Sequence, residues 1–200
     1  MNIEWQEGWF SGARRVASPN FDARPAGDRV SLVVLHGISL PPEEFGGACV
    51  EALFTNTLDY SAHSYFAQLV GMRVSAHFFI RRDGALTQFV STEKRAWHAG
   101  KSRWKDRENC NDFSIGVELE GSDRQAFTAA QYAALWPLVA ALCAHYPIRA
   151  IAGHEHIAPG RKTDPGPYFD WPALARRFPG QETPPRQNIS ENAPEPDSGG

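Results

Sequence analysis

Ser31-Leu32-Val33-Val34-Leu35-His36-Gly37 is the stretch that decides the fold. Leu32 to Leu35 is apolar without alternation, has strand length and ends on a histidine and a glycine. A strand with one wet face alternates, whereas an unbroken apolar run is buried on both faces. The segment predicts a covered central strand with His36 at its end.

The neighbouring segments build a sheet around it. Residues 74–80 read as a second strand, Arg82-Asp83-Gly84-Ala85 as a turn, and residues 86–90 as the returning strand of a hairpin. Residues 114–119 read as a fourth, with Ile115, Val117 and Leu119 on one face and Gly116, Glu118 and Glu120 on the other. Residues 148–152 form a short last strand. Thr128 with Gln131 three residues on has the form of a capping box, and Leu135, Leu138, Val139 and Leu142 follow at helical spacing to about residue 145. Pro137 is expected to kink or split that helix. A shorter helix follows Asp170, with Pro172 in its first turn. Strands alternating with helices predict a single α/β domain, a mixed central sheet flanked by helices. Residues 39–73 read as a helix-bearing insertion that overhangs a site, or as an ordinary surface excursion. The domain is assigned to residues 1–178. Residues 179–200 are polar and rich in Pro, Gly, Glu and Ser, and read as a disordered tail.

Composition narrows the function classes. A net charge of -3 argues against a nucleic-acid partner, for which a basic face is expected. No apolar run approaches the roughly 20 residues of a membrane helix, and residues 1–7 carry no secretory leader pattern. Cys49, Cys110 and Cys143 are few, odd in number and far apart, as reduced thiols are. The expectation is a cytoplasmic protein, monomeric in the simplest case, with neither nucleic acid nor membrane as partner.

The chemistry concentrates in Gly153-His154-Glu155-His156-Ile157-Ala158-Pro159-Gly160-Arg161-Lys162-Thr163-Asp164-Pro165-Gly166-Pro167. His36 and His154 each follow a strand, and ligands bind beyond the carboxyl ends of strands in open α/β sheets. With Asp164 they make a two-imidazole, one-carboxylate set with an open fourth position, which suits catalytic zinc. Zinc so held lowers the pKa of its water to about 7 and polarises a carbonyl. Glu118 is the leading partner as general base, with Glu120 and Glu155 as rivals, and alternation does not separate Glu118 from Glu120. Lys162 is placed to stabilise an oxyanion. His156 shares a strand-like face with His154 and is the rival ligand. His63, His98 and His145 read as structural or surface histidines, and His77 equally as a core hydrogen-bonder or a site wall.

These residues lie in an order that resembles the zinc-dependent N-acetylmuramoyl-L-alanine amidases of the type-2 amidase, or peptidoglycan-recognition, superfamily. The matching segments include Ser31-Leu32-Val33-Val34-Leu35-His36, Val74-Ser75-Ala76-His77, Arg95-Ala96-Trp97-His98-Ala99-Gly100, Cys110-Asn111-Asp112-Phe113-Ser114-Ile115-Gly116-Val117-Glu118 and the 153–166 loop. The likeness spans residues 7 to 178 and is nearest to the cytoplasmic members that act on 1,6-anhydro-muropeptides. It implies the type-2 amidase fold, His36, His154 and Asp164 as zinc ligands, Glu118 and Lys162 as catalytic residues, and no ligand role for His156. The implied reaction splits the amide between the lactyl group of anhydro-N-acetylmuramic acid and L-alanine, in peptidoglycan recycling that also affects β-lactamase induction. Arg73, Trp97 and Arg161 are the expected substrate contacts: cations for the carboxylates of a small anhydromuropeptide and a flat face for its sugar. Arg82 is a further cation. Two positions depart from the pattern, Gly37 where Asn is expected and His156 in place of a smaller polar residue. A receptor without catalysis would lack a ligand or the base, and an amidase of intact cell wall would need export.

Overall fold

The unbroken apolar run becomes the middle of the sheet. The computed structural model describes residues 5–184. Among them, six strands pair into one sheet: β1 (Arg14–Arg15), β2 (Leu32–Ile38), β3 (Phe78–Ile80), β4 (Leu86–Gln88), β5 (Ser114–Glu120) and β6 (Ala150–Gly153), in the spatial order β6-β2-β5-β3-β4-β1. β2 runs parallel to β6 on one side and to β5 on the other, and β5 runs parallel to β3. β3 turns back antiparallel into β4, as the Asp-Gly turn predicts. Gly84 there has φ +87°, and a Cβ on it would stand 2.8 Å from the Ala130 carbonyl oxygen, so the turn needs a glycine twice over.

Among the described residues four α-helices accompany the sheet: α1 (Cys49–Phe54), α2 (Ala129–His145), α3 (His154–Ile157) and α4 (Trp171–Arg177). α2 opens on the predicted capping box, with Gln131 N donating to Thr128 Oγ1 at 3.1 Å and Thr128 N to Gln131 Oε1 at 3.0 Å. The Gln131 side chain also donates to the carbonyls of Ile80 and Glu120, tying the cap to the ends of β3 and β5. Of the two outcomes expected at Pro137, the split does not occur: α2 runs as one helix from Ala129 to His145. Proline removes one backbone donor. Burial of Leu135, Leu138, Val139 and Leu142 against Val33, Leu35, Ile115, Val117 and Leu119 outweighs that loss, at about 1.5–3 kcal/mol for each large side chain. α4 is capped by Asp170, which accepts from Ala173 N at 2.8 Å, with Pro172 in its first turn.

The 39–73 region carries α1 and a 3₁₀ turn, Ser64–Leu69, whose Leu53, Phe54, Phe66 and Leu69 pack over Phe79 and Phe89. Residues 179–184, assigned by sequence to the tail, are among those described. Ile151 N donates to Glu182 O, and Glu182 N to Arg149 O, both at 2.9 Å, so the chain pairs beside β6 before residue 185. The rest of the assigned tail lies outside the described residues.

Candidate metal centre

Strand register assembles the site. Glu118 of β5 is paired with His36 of β2, and Gly153 of β6 with Leu35, which sets His154 beside His36. Both faces of β5 are buried: Ile115, Val117 and Leu119 join the core with α2, and Glu118 reaches the cleft with His36. Asp164 arrives from the loop after α3. Its carbonyl accepts from Glu155 N at 2.8 Å, and the preceding Thr163 Oγ1 donates to Asp123 Oδ2 at 2.5 Å.

His36 Nδ1, His154 Nδ1 and Asp164 Oδ2 form a nearly equilateral triangle. Its edges are 3.0 Å between the two nitrogens, 3.2 Å from His36 to the carboxylate and 3.1 Å from His154 to it. Ligand atoms about 2.0–2.1 Å from a tetrahedral ion stand about 3.3 Å apart, so three donor atoms with these edges fit one small dication and leave a corner open. The outer nitrogens agree with that use. His154 Nε2 lies 3.1 Å from Ala99 O and can only donate to it, and His36 Nε2 lies 2.9 Å from His98 Nδ1. With the protons on Nε2, both Nδ1 lone pairs face the triangle. Glu118 Oε1 is 3.9 Å from His36 Nδ1, and its buried Oε2 has no hydrogen-bond partner.

Electrostatics suit the same use. Burial, against the pull of the Asp164 carboxylate, holds His36 down at about 4, so it is a neutral ligand near pH 7. Burial alone would raise Asp164, but the adjoining His154 and His36 outweigh it and keep the carboxyl well below its usual range. Burial, then the Asp164 charge, pushes Glu118 well above the ordinary carboxylate range, while Lys162 draws it back. A carboxyl raised in this way is suited to taking and giving a proton near neutrality.

The triangle lies in a cleft of about 540 Å³ whose walls include Leu40, Tyr65, Met72, Trp97, Arg161 and Lys162. Trp97 is half-buried there, and Lys162 is exposed. Arg161 Nη2 donates to the carbonyls of Ala99 at 2.7 Å and Lys101 at 2.6 Å. Arg73 is exposed between Met72 and Val74, which line the cleft while Arg73 does not. Arg82 stands elsewhere, over the Phe45 ring and beside Gln125. Gly37 lines the cleft, and a Cβ there would meet Pro165 and Phe127 at ordinary contact distances, so the glycine widens the site without a steric demand for it.

The rivals separate by geometry. Residues 154–157 form a helical turn, so His154 and His156 point apart instead of sharing a strand face. His156 Nδ1 accepts from Gly153 N at 3.0 Å, and its ring packs on Trp171. Glu120 accepts from Gly46 N and Arg82 N, one on each oxygen, and Glu155 stands beside His156. His77 is a core hydrogen-bonder, its Nδ1 accepting from Gly116 N at 3.0 Å. His98, read from sequence as structural or surface, is buried against His36. The only sequence trace of that contact is Gly116, whose missing side chain leaves room for the ring.

The sequence matches the N-acetylmuramoyl-L-alanine amidase family over residues 26–167. The chain belongs to that family. It is 58% identical over 167 residues to the 1,6-anhydro-N-acetylmuramyl-L-alanine amidase AmpD of Citrobacter freundii, covering 82% of this chain and 89% of that one. The fold agrees with a crystal structure of a selenomethionine AmpD derivative at a TM-score of 0.85 and 54% identity, over 88% of this chain and 99% of that one. It also resembles Escherichia coli AmiD, an N-acetylmuramyl-L-alanine amidase solved with anhydro-N-acetylmuramic acid-L-Ala-D-γ-Glu-L-Lys, at a TM-score of 0.55 and 31% identity, over 88% of this chain and 65% of that one. Family membership accounts for the mixed α/β architecture and for a metal-compatible cluster at the strand ends. Among the described residues no helix is long and apolar enough to cross a membrane.

Proposed function

We propose that this chain is a zinc-dependent amidase that hydrolyses the bond between the lactyl group of 1,6-anhydro-N-acetylmuramic acid and L-alanine in small muropeptides. The observation that carries the proposal is the convergence of three donor atoms and one partnerless carboxylate oxygen at the strand ends, in the fold of an amidase family. Zinc held by His36, His154 and Asp164 supplies Lewis-acid polarisation of the scissile carbonyl and activation of water. Glu118 takes the proton of the attacking water at its carboxylate and returns it to the leaving amine of L-alanine. Lys162, whose charge already bears on His36 and Glu118, faces the negative charge that grows on the carbonyl oxygen. Trp97 offers its ring face to the sugar, and Arg73, between the lining residues Met72 and Val74, is the cation for the stem-peptide carboxylates.

The substrate class rests on AmpD relatives more than 50% identical over most of the chain. A cytoplasmic setting, in peptidoglycan recycling, fits three cysteines that are all free. Mass spectrometry of the protein with anhydro-N-acetylmuramyl-tripeptide tests the reading. Free tripeptide is expected, lost on chelation and restored by zinc. Binding of the muropeptide without cleavage by a zinc-loaded sample would make the chain a receptor, and faster action on insoluble sacculi would move the substrate to intact cell wall.

A further inference from the structure

We propose that the dipeptide His98-Ala99 orients both imidazoles of the triad, with His98 a positioning residue for His36 and Arg161 a positioning residue for His154. The inference rests on the reading that the triad holds a metal. It removes Arg161 from the substrate contacts expected from sequence.

The first arm is a directed chain of hydrogen bonds. His36 turns Nδ1 to the triangle, so its proton is on Nε2 and goes to His98 Nδ1 at 2.9 Å. His98 then carries its own proton on Nε2 and gives it to Ser114 Oγ at 3.1 Å. The rings of His36 and His98 meet edge to face, with centroids 5.0 Å apart. The His98 ring fills the space that Gly116 leaves open: a Cβ on residue 116 would lie 2.5–2.7 Å from three of its atoms.

The second arm is the Ala99 carbonyl. It accepts from His154 Nε2 at 3.1 Å and from Arg161 Nη2 at 2.7 Å, which uses both of its lone pairs. The same Nη2 reaches Lys101 O, so the guanidinium brackets the turn 99–101. It also lies against Gly100, which has φ +56°. Between the arms, one side-chain oxygen sets the dipeptide: Asn111 Oδ1 accepts from His98 N at 3.1 Å and from Ala99 N at 2.8 Å. Two ligands, one on β2 and one opening α3, thus take their tautomer and ring angle from adjacent residues of one segment. Partners of this kind typically carry about 10–100-fold in metal affinity.

The test reads metal binding directly, on metal-stripped protein titrated with cobalt(II) and, by chelator competition, with zinc. His98→Leu is expected to weaken zinc by about 10–100-fold and alter the cobalt d–d spectrum. His98→Asn, which returns an acceptor near the Nδ1 position, is expected to recover much of the loss. Arg161→Met is expected to weaken zinc by about 10-fold while leaving the KM for muropeptide unchanged at saturating zinc. Wild-type affinity in both His98→Leu and Arg161→Met overturns the proposal. A raised KM in Arg161→Met with intact zinc affinity returns Arg161 to the substrate. Should His98→Leu not fold, histidine ¹⁵N NMR of the wild-type protein decides the first arm: His98 Nδ1 is expected unprotonated and coupled across the hydrogen bond to His36 Nε2, and a protonated Nδ1 overturns it. Wild-type protein that binds neither metal overturns this inference and the zinc reading together, whereas unchanged variants of a metal-binding wild type overturn this inference alone.

Discussion

Glu118 and His36 sit opposite one another on neighbouring parallel strands, with Glu118 Oε1 3.9 Å from His36 Nδ1. Backbone pairing therefore fixes the distance between the proposed base and the proposed ligand, since adjacent strands lie about 4.8 Å apart whatever the side chains do. At 3.9 Å the carboxylate is near the triangle without being one of its corners.

Glu118→Gln keeps the shape of that side chain and removes its ability to take a proton. Turnover of anhydromuropeptide is expected to fall by about 10²–10⁴-fold. Zinc content by mass spectrometry under native conditions should match wild type. Turnover within a few-fold of wild type would remove Glu118 from the mechanism.

Gly116→Ala places a methyl group inside the His98 ring. The ring must shift, and the shift is transmitted to His36. A loss of about 1–3 kcal/mol in urea unfolding is expected, together with weaker cobalt binding. Unchanged stability and binding would show that the ring has another place to go.

His77 gives the metal-free protein a pH dependence. Burial, and then the Arg24 charge, holds His77 at about 3, although a hydrogen bond with Lys94 O opposes the shift. The unfolded chain titrates near 6.5, so above that pH the residue contributes no slope. As pH falls from 6.5 toward 3, the unfolded state takes up a proton that the native state refuses, and stability drops by up to about 1.4 kcal/mol per pH unit from this residue. Buried His36 and His98 act in the same direction. Urea unfolding at stepped pH should give a shallower slope for His77→Gln than for wild type, and equal slopes would contradict the assignment.

Legibility in the sequence followed periodicity and local chemistry. β2 was readable because Leu32 to Leu35 has no polar break, and the α2 start because Thr128 and Gln131 cap each other by side chains three residues apart. The short pairings Trp5–Gln6 with Trp9–Phe10 and Phe21–Ala23 with Lys94–Ala96 are too brief to show a period. α3 was hidden because the surrounding glycines and prolines read as loop, which left His156 beside His154 on an imagined strand face. The choice of Glu118 over Glu120 needed the partners of Glu120 at Gly46 and Arg82, far away in sequence. His98 was illegible for the same reason: its function lies in contacts 16 and 62 residues away.

Thr128→Ala removes the acceptor that satisfies Gln131 N and the donor that reaches Arg82 O. A loss of about 1 kcal/mol is expected, within the 0.5–2 kcal/mol usual for such caps. Since Gln131 also holds the ends of β3 and β5, amide exchange at Ile80 and Glu120 should quicken with it. Exchange confined to the first turn of α2 would mean that the cap acts only locally.

Of the triangle's three corners, His36 belongs to the sheet and His154 to the turn that leaves it, whereas Asp164 is carried by a loop pinned through Glu155 N and Asp123. Opening that loop removes one corner while every strand stays paired. Local openings of this kind occur far more often than global unfolding. How long the proposed ion is retained would then be a matter of the loop's closed lifetime and not of the domain's stability. Weakening the Thr163–Asp123 latch would hasten exchange with a chelator while leaving the melting of the metal-free sheet where it was.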